Sequence, residues 1–195
     1  MKKKPRSTTP KTTNQVRIIG GMHKRRLLSF IDADGLRPTP DRMRETLFNW
    51  LMGHLSDATV LDVCAGSGVL GAECLSRGAK FATFIEYQTA QAKLLSDNLN
   101  TLRLSEQSQV IAGDALTKLP SLTQTYDIVF IDPPYALNLW QKLLNILQDN
   151  KLIHQDSLIY LEADKSIETI INLDDYHIIK NTKTGQVHSY LLQIA

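Results

Sequence analysis

The run Tyr126-Asp127-Ile128-Val129-Phe130-Ile131 stops abruptly at Asp132-Pro133-Pro134-Tyr135, and no other stretch restricts the fold as strongly. Six residues rich in β-branched and aromatic side chains, apolar on both faces, predict a fully buried strand of a parallel sheet. Each proline fixes φ and lacks an N–H, so the corner after the strand is stiff and rich in carbonyls without local donors. Open α/β sheets bind their ligands at the carboxyl edge, where this corner is delivered. Read structurally, Asp-Pro-Pro-Tyr is a strand-ending turn. Read chemically, an acidic group and an aromatic ring beside a row of acceptors suit an exocyclic amino group on a flat ring.

From Ala58 onward the chain alternates strand-like and helix-like segments, the pattern of a doubly wound parallel sheet. Strands are predicted near 59–63, 81–86, 109–112, 126–131 and 157–162, with helices near 69–77, 88–102, 138–149 and 165–172. The end reads as two antiparallel strands joined around Thr184-Gly185 at one sheet edge. Ahead of Ala58, VRII and KRRLLSF flank Gly20-Gly21 as a short hairpin. Thr39 is placed to cap a helix beginning at Pro40, with Asp41 at the positive end of its dipole. Helical spacing assigns Met43, Leu47, Trp50, Leu51 and either His54 or Leu55 to its buried face and leaves Arg42 and Asn49 outward. Residues 1–15 form a basic tail expected to be disordered, 16–35 a basic hairpin extension and 36–195 a single α/β domain.

The net charge of +2 conceals an asymmetry, because residues 1–44 hold twelve Lys/Arg against three Asp while the remainder is acidic. A basic arm on an acidic body is the footprint of a phosphate-backbone partner. The bland reading, a solvated tail, suits residues 1–15 best. It weakens once Arg17, Lys24, Arg25, Arg26, Arg37, Arg42 and Arg44 carry the charge into folded sequence. No apolar stretch approaches a membrane span and the basic start lacks an apolar region, so a cytoplasmic protein without membrane contact is expected. A transit peptide is the minor reading of the same leader. Cys64 and Cys74 show neither a disulfide nor a zinc pattern, and the five histidines have no ligand spacing, so no metal is expected.

The stretch Thr59-Val60-Leu61-Asp62-Val63 enters Gly66-Ser67-Gly68-Val69-Leu70-Gly71, a glycine pattern in strand–turn–helix context. Glu86 ends the next strand, where a carboxylate accepts ribose hydroxyls. These features fit a nicotinamide or flavin dehydrogenase equally well. Asp62 adds a carboxylate suited to a cationic ligand, and Gly113-Asp114 places another where it can accept from an adenine amino group. The chain also has no room for a separate substrate domain. An amino-acid cation, a ribose and an adenine in one groove describe S-adenosyl-L-methionine.

The sequence resembles class I S-adenosylmethionine-dependent methyltransferases, and most closely the bacterial 16S ribosomal RNA guanine-N2 methyltransferase family called RsmD. The residues carrying the resemblance are RIIGG at 17–21, LRPTPDRMRETLFNW at 36–50, LDVCAGSGVLGAECLSRGA at 61–79, FIE at 84–86, GDAL at 113–116 and FIDPPY at 130–135. The glycine loop and DPPY are shared widely, whereas RIIGG with LRPTPDRMRETLFNW is the narrow signature. Cys64, where Phe is common, and Arg26, in a run usually broken by glycine, depart from the family. The resemblance implies a Rossmann-like, mostly parallel seven-stranded sheet with an antiparallel C-terminal hairpin. It further implies that Gly66, Gly68, Glu86 and Asp114 hold the cofactor and that Asp132 to Tyr135 hold the target base. The product would be S-adenosyl-L-homocysteine, the partner 16S rRNA in an assembled or assembling small subunit, and the enzyme a monomer. The rival expectations are a DNA adenine-N6 methyltransferase, a protein-glutamine methyltransferase, a nucleotide-binding oxidoreductase and a non-catalytic RNA-binding module.

Overall fold

The computed structural model describes residues 13–31 and 39–195. Most of the expected basic tail and Arg37 lie outside these residues. A two-stranded antiparallel sheet comes first, β1 (Thr13–Arg17) against β2 (Leu27–Ile31). The strand therefore starts inside the segment expected to be tail. Helix α1 (Asp41–Trp50) follows, then β3 (Thr59–Asp62), α2 (Val69–Ser76), β4 (Phe81–Glu86), α3 (Thr89–Thr101) and β5 (Ser108–Ala112). The second half comprises α4 (Ala115–Lys118), β6 (Tyr126–Ile131), α5 (Trp140–Asp149), β7 (Ile153–Ala163), β8 (Tyr176–Thr184) and β9 (Val187–Ile194).

The seven strands β3 to β9 lie in the order β5-β4-β3-β6-β7-β9-β8. The first five are parallel, and β9 runs antiparallel between β7 and β8. The chain thus winds one way from β3 through β4 to β5, then returns to place β6 and β7 on the other side. This reversal makes β3 and β6 the switch point where such sheets open a crevice at their carboxyl edge.

Period-two alternation sorts the strands' side chains between two cores. Val60, Phe84, Phe130 and Tyr160 face one core, roofed by the hairpin and α1 to α3. Leu61, Ile85, Val129, Ile131, Ile159 and Leu161 face the other, closed by Trp140, Leu143, Leu144 and Leu147 of α5. The hairpin belongs to the first core through Val16, Ile18, Leu28 and Phe30, all buried.

Three expectations change. Residues 165–172 form only a 3-10 turn, Ile167–Thr169, ahead of an Asn172-Leu173-Asp174-Asp175 stretch. Ile167 and Ile171 are buried, so the segment serves core packing without a full helical turn pattern. Thr39 does not cap α1; the N-cap is Pro40, and the Thr39 hydroxyl instead donates to Glu162 Oε1 at 3.0 Å. Arg44 is fully buried rather than presented outward. Its guanidinium donates to Glu73 (2.8 Å), Asp41 (2.5 Å) and the carbonyls of Arg17 (2.8 Å) and Thr39 (3.1 Å). Glu73 also accepts from the Ile19 N–H and from Arg77, so one buried ion cluster ties the hairpin and α1 to α2.

Candidate active site

Parallel register lines up the ends of four neighbouring strands. Asp62 pairs with Phe84 of β4 and Phe130 of β6, and Phe130 pairs with Tyr160 of β7. One side-chain period further on stand Glu86, Asp132 and Glu162, on the face that carries Val60, Phe84, Phe130 and Tyr160. An arc of carboxyl groups therefore rims the first core at the carboxyl edge. Asp114 extends it from the end of β5.

The glycine turn lies against this arc at β3. The Gly66 N–H donates to Glu86 Oε2 (2.8 Å), whose other oxygen accepts from the Gln88 N–H (2.7 Å). Asp62 Oδ2 accepts from the Gly71 N–H at 3.3 Å. Gly68 has φ +72, and a Cβ there would lie 2.3 Å from Leu95 Cδ1. The space its missing side chain leaves is thus filled by α3, which locks the turn. Gln91, unforeseen from sequence, donates to the Gly66 carbonyl (2.7 Å) and accepts from the Ile31 N–H (2.8 Å), joining the turn to the hairpin. Asp114 caps α4 with one oxygen, accepting from the Leu116 N–H at 3.0 Å. No donor among the described residues reaches its second.

Burial pushes the Asp62 carboxyl up to about 7, against the pull of the Gly71 N–H and with help from the nearby Glu86. Burial likewise raises Glu86, opposed by the N–H groups of Gln88 and Gly66. Asp132 is raised well above the carboxylate range by burial, by Glu162 and by Asp62. Carboxyls held this way are relieved by a ligand bringing positive charge or several donors. The arc and turn therefore fit S-adenosylmethionine: Asp62 for its cationic amino-acid end, Glu86 for ribose hydroxyls and Asp114 for the adenine amino group.

At the corner, the Pro134 carbonyl accepts from the Leu137 N–H at 2.9 Å, so one carbonyl of the corner finds a local donor where none was expected. The Pro133 carbonyl and the Asp132 carboxylate receive no donor among the described residues. Tyr135 is half-buried and leans on the Trp140 ring, with centroids 5.9 Å apart at 35°. Trp140 is itself fixed by donating from Nε1 to the Glu162 carbonyl at 2.8 Å.

Among the described residues, the basic candidates spread from the hairpin turn to the start of α1. Lys24, Arg25 and Arg26 are exposed in the turn between β1 and β2. That turn docks on the last turn of α2, where the Met22 N–H donates to the Ser76 carbonyl (2.7 Å). Val69 to Ser76 spans roughly 10 Å, which takes this cluster toward the amino edge of the sheet, away from the carboxyl arc. Exposed Arg42 lies in the first turn of α1, shortly after Thr39, whose hydroxyl donates to Glu162. Arg17 is tied to Asp41 at 2.8 Å.

A sheet of this order, with a glycine turn at its switch point and a Pro-Pro corner on the adjoining strand, defines a class I methyltransferase. A family model described as conserved hypothetical protein 95 matches residues 16–193. A ribosomal RNA small subunit methyltransferase D of Haemophilus influenzae is 41% identical over 188 residues, covering 95% of this chain and 97% of the relative. The chain belongs to the ribosomal RNA small subunit methyltransferase D family. A solved Escherichia coli chain, titled provisionally as a methyltransferase, is 38% identical with a TM-score of 0.82 over 93% of this chain and 98% of that one. An RNA methyltransferase from Salinibacter ruber, solved in complex with S-adenosyl-L-homocysteine, shares the fold at 14% identity and a TM-score of 0.61, over 81% of this chain and 94% of that one.

Proposed function

We propose that the protein transfers a methyl group from S-adenosyl-L-methionine to the exocyclic N2 amino group of one guanine in the 16S RNA of the small ribosomal subunit. The observation that carries this reading is the corner itself. Asp132 and the Pro133 carbonyl, both without donors among the described residues, stand at the switch point beside the glycine turn.

Asp62, Gly66, Gly68, Glu86 and Asp114 would hold the cofactor, which when bound would supply an electrophilic methyl on a sulfonium. The remaining work belongs to the chain. Guanine's amino nitrogen is a poor nucleophile because its lone pair is delocalised into the ring. Accepting one N–H at Asp132 and the other at the Pro133 carbonyl favours a pyramidal nitrogen and aims its lone pair. Tyr135, braced by Trp140, stacks on the base, an interaction worth roughly 1–3 kcal/mol. The methylated nitrogen is more acidic, so Asp132 need not be a strong base to take its surplus proton and pass it to water. Lys24, Arg25, Arg26 and Arg42 contact RNA phosphates. We place the enzyme in the cytoplasm as a monomer acting on an assembled or assembling subunit.

The test uses small subunits from a strain lacking the gene, tritiated cofactor and nucleoside analysis. Label in N2-methylguanine at one position of 16S RNA supports the reading; label in N6-methyladenine or none in RNA refutes it. Asp132→Ala is expected to abolish transfer while cofactor binding survives, and unchanged turnover would remove the mechanism.

A further inference from the structure

Asp132 and the Pro133 carbonyl grip an amino group, and adenine presents one as readily as guanine. Nothing in the corner alone tells the two bases apart. The neighbouring strand holds a group that does. Continuing the β6–β7 register beyond Ile131↔Leu161 sets Asp132 opposite Glu162 on the same face, with strands roughly 4.8 Å apart. Glu162 is only 3% exposed, yet it is half-partnered. Its Oε1 accepts from the Tyr160 hydroxyl (2.8 Å) and the Thr39 hydroxyl (3.0 Å). No donor among the described residues reaches Oε2, an acceptor beside Asp132 that is not sealed from solvent.

We propose that Glu162 Oε2 accepts the N1–H of the target guanine and so sets the preference for guanine over adenine. This rests on the guanine-N2 reading above and deepens it. Guanine's Watson–Crick edge offers N1–H and the N2 amino hydrogens side by side in one plane, which matches acceptors on adjacent strands. Adenine offers a lone pair at N1, which an oxygen acceptor repels. The Tyr160 and Thr39 hydroxyls orient the carboxyl by occupying its other oxygen, so they act as positioning residues. Sites built around such a donor discriminate strongly, because the analogue leaves a buried polar group unpaired.

The experiment compares guanine with 2-aminopurine, which keeps the methyl-accepting amino group but has a lone pair at N1. Each is placed at the mapped position of 16S RNA, and the RNA is reconstituted into subunits for transfer with the full-length enzyme. The wild type is expected to favour guanine by roughly 100-fold or more. In Glu162→Gln the amide oxygen takes the two hydroxyl donors and the NH2 faces the base. Transfer to guanine should fall roughly 100-fold while 2-aminopurine is held or improved, collapsing the ratio. Equal wild-type rates on the two bases overturn the proposal without any variant being needed. A folded, cofactor-binding Glu162→Gln that keeps the wild-type ratio overturns it too. Absence of label in wild-type reactions with guanine strikes the guanine-N2 reading itself, so the two failures are distinguishable.

Discussion

The Asp62 carboxyl gives a quantitative handle on the cofactor half of the site. Burial raises it from 3.8 to about 7, so the folded protein binds a proton there that the unfolded chain releases. That term stabilises the folded state at low pH, and its contribution is lost as pH rises from about 4 through 7. A cationic ligand docking on Asp62 reverses the preference, since the ionised form is then favoured. With a folded value near 7, about one molecule in eleven is ionised at pH 6 and about ten in eleven at pH 8. Affinity for the cofactor product should therefore tighten roughly tenfold over that interval, or about 1.4 kcal/mol. Titration calorimetry in buffers of different ionisation enthalpy checks this directly. Close to one proton should be released per ligand at pH 6, about half at pH 7 and about a tenth at pH 8. Asp62→Asn should weaken binding at pH 8 and flatten the dependence. Proton release that persists in Asp62→Asn assigns the effect to another carboxyl, Glu86 being the neighbour. A flat affinity in the wild type refutes the placement of the cationic end.

Arg44→Met should cost roughly 3 kcal/mol or more, because Glu73 and Asp41 lose their shared partner inside the protein. Thermal melting should read this as a drop of about 6–12 °C, and an unchanged midpoint would mean that the cluster contributes nothing. Gly68→Ala places a side chain at φ +72 against Leu95. Cofactor-dependent thermal stabilisation should shrink or vanish, and full retention would show that the turn has slack. Reversing Lys24, Arg25 and Arg26 to Glu should weaken RNA binding and lower its salt slope by roughly 2–3. Turnover at saturating RNA should hold, since the cluster lies toward the opposite sheet edge. An unaltered slope removes the hairpin turn from the interface.

How far the sequence could be read depended on whether the relevant physics was local. The strand at 126–131 and the glycine turn announce themselves within a few residues, because burial pattern and backbone freedom are written in consecutive positions. Arg44 does not. Within a basic run it reads as solvent-facing charge, and only the crossing of α1 over α2 brings Glu73 to it. The segment 165–172 shows the same limit from the other side: its isoleucines suit a helix or a packed turn, and the floor provided by Tyr190 decides between them through its hydroxyl on the Ile167 N–H at 3.2 Å.

Glu162 is the instructive case. Its strand was expected and its residue type is visible, yet nothing in SLIYLEA marks the glutamate as different from any charged residue at a strand end. What marks it is register. Once Phe130 is known to pair with Tyr160, the period-two rule carries Asp132 and Glu162 to the same face of adjacent strands, and Asp62 and Glu86 fall into line by the same count. Four carboxyl groups brought together at one edge repel one another and lose solvation, which raises their proton affinity and makes the edge a place that favours a ligand's positive charge or N–H donors. In the proposed function, a sulfonium and an ammonium at one end and a purine edge with adjacent N–H donors at the other would supply that charge and those donors in two separate portions. On the proposed reading the arc divides at the switch point, Asp62 and Glu86 toward the cofactor and Asp132 and Glu162 toward the base. The division predicts that Glu162→Gln leaves the pH dependence of cofactor binding intact, a separation that the Asp62 and Glu162 experiments measure independently.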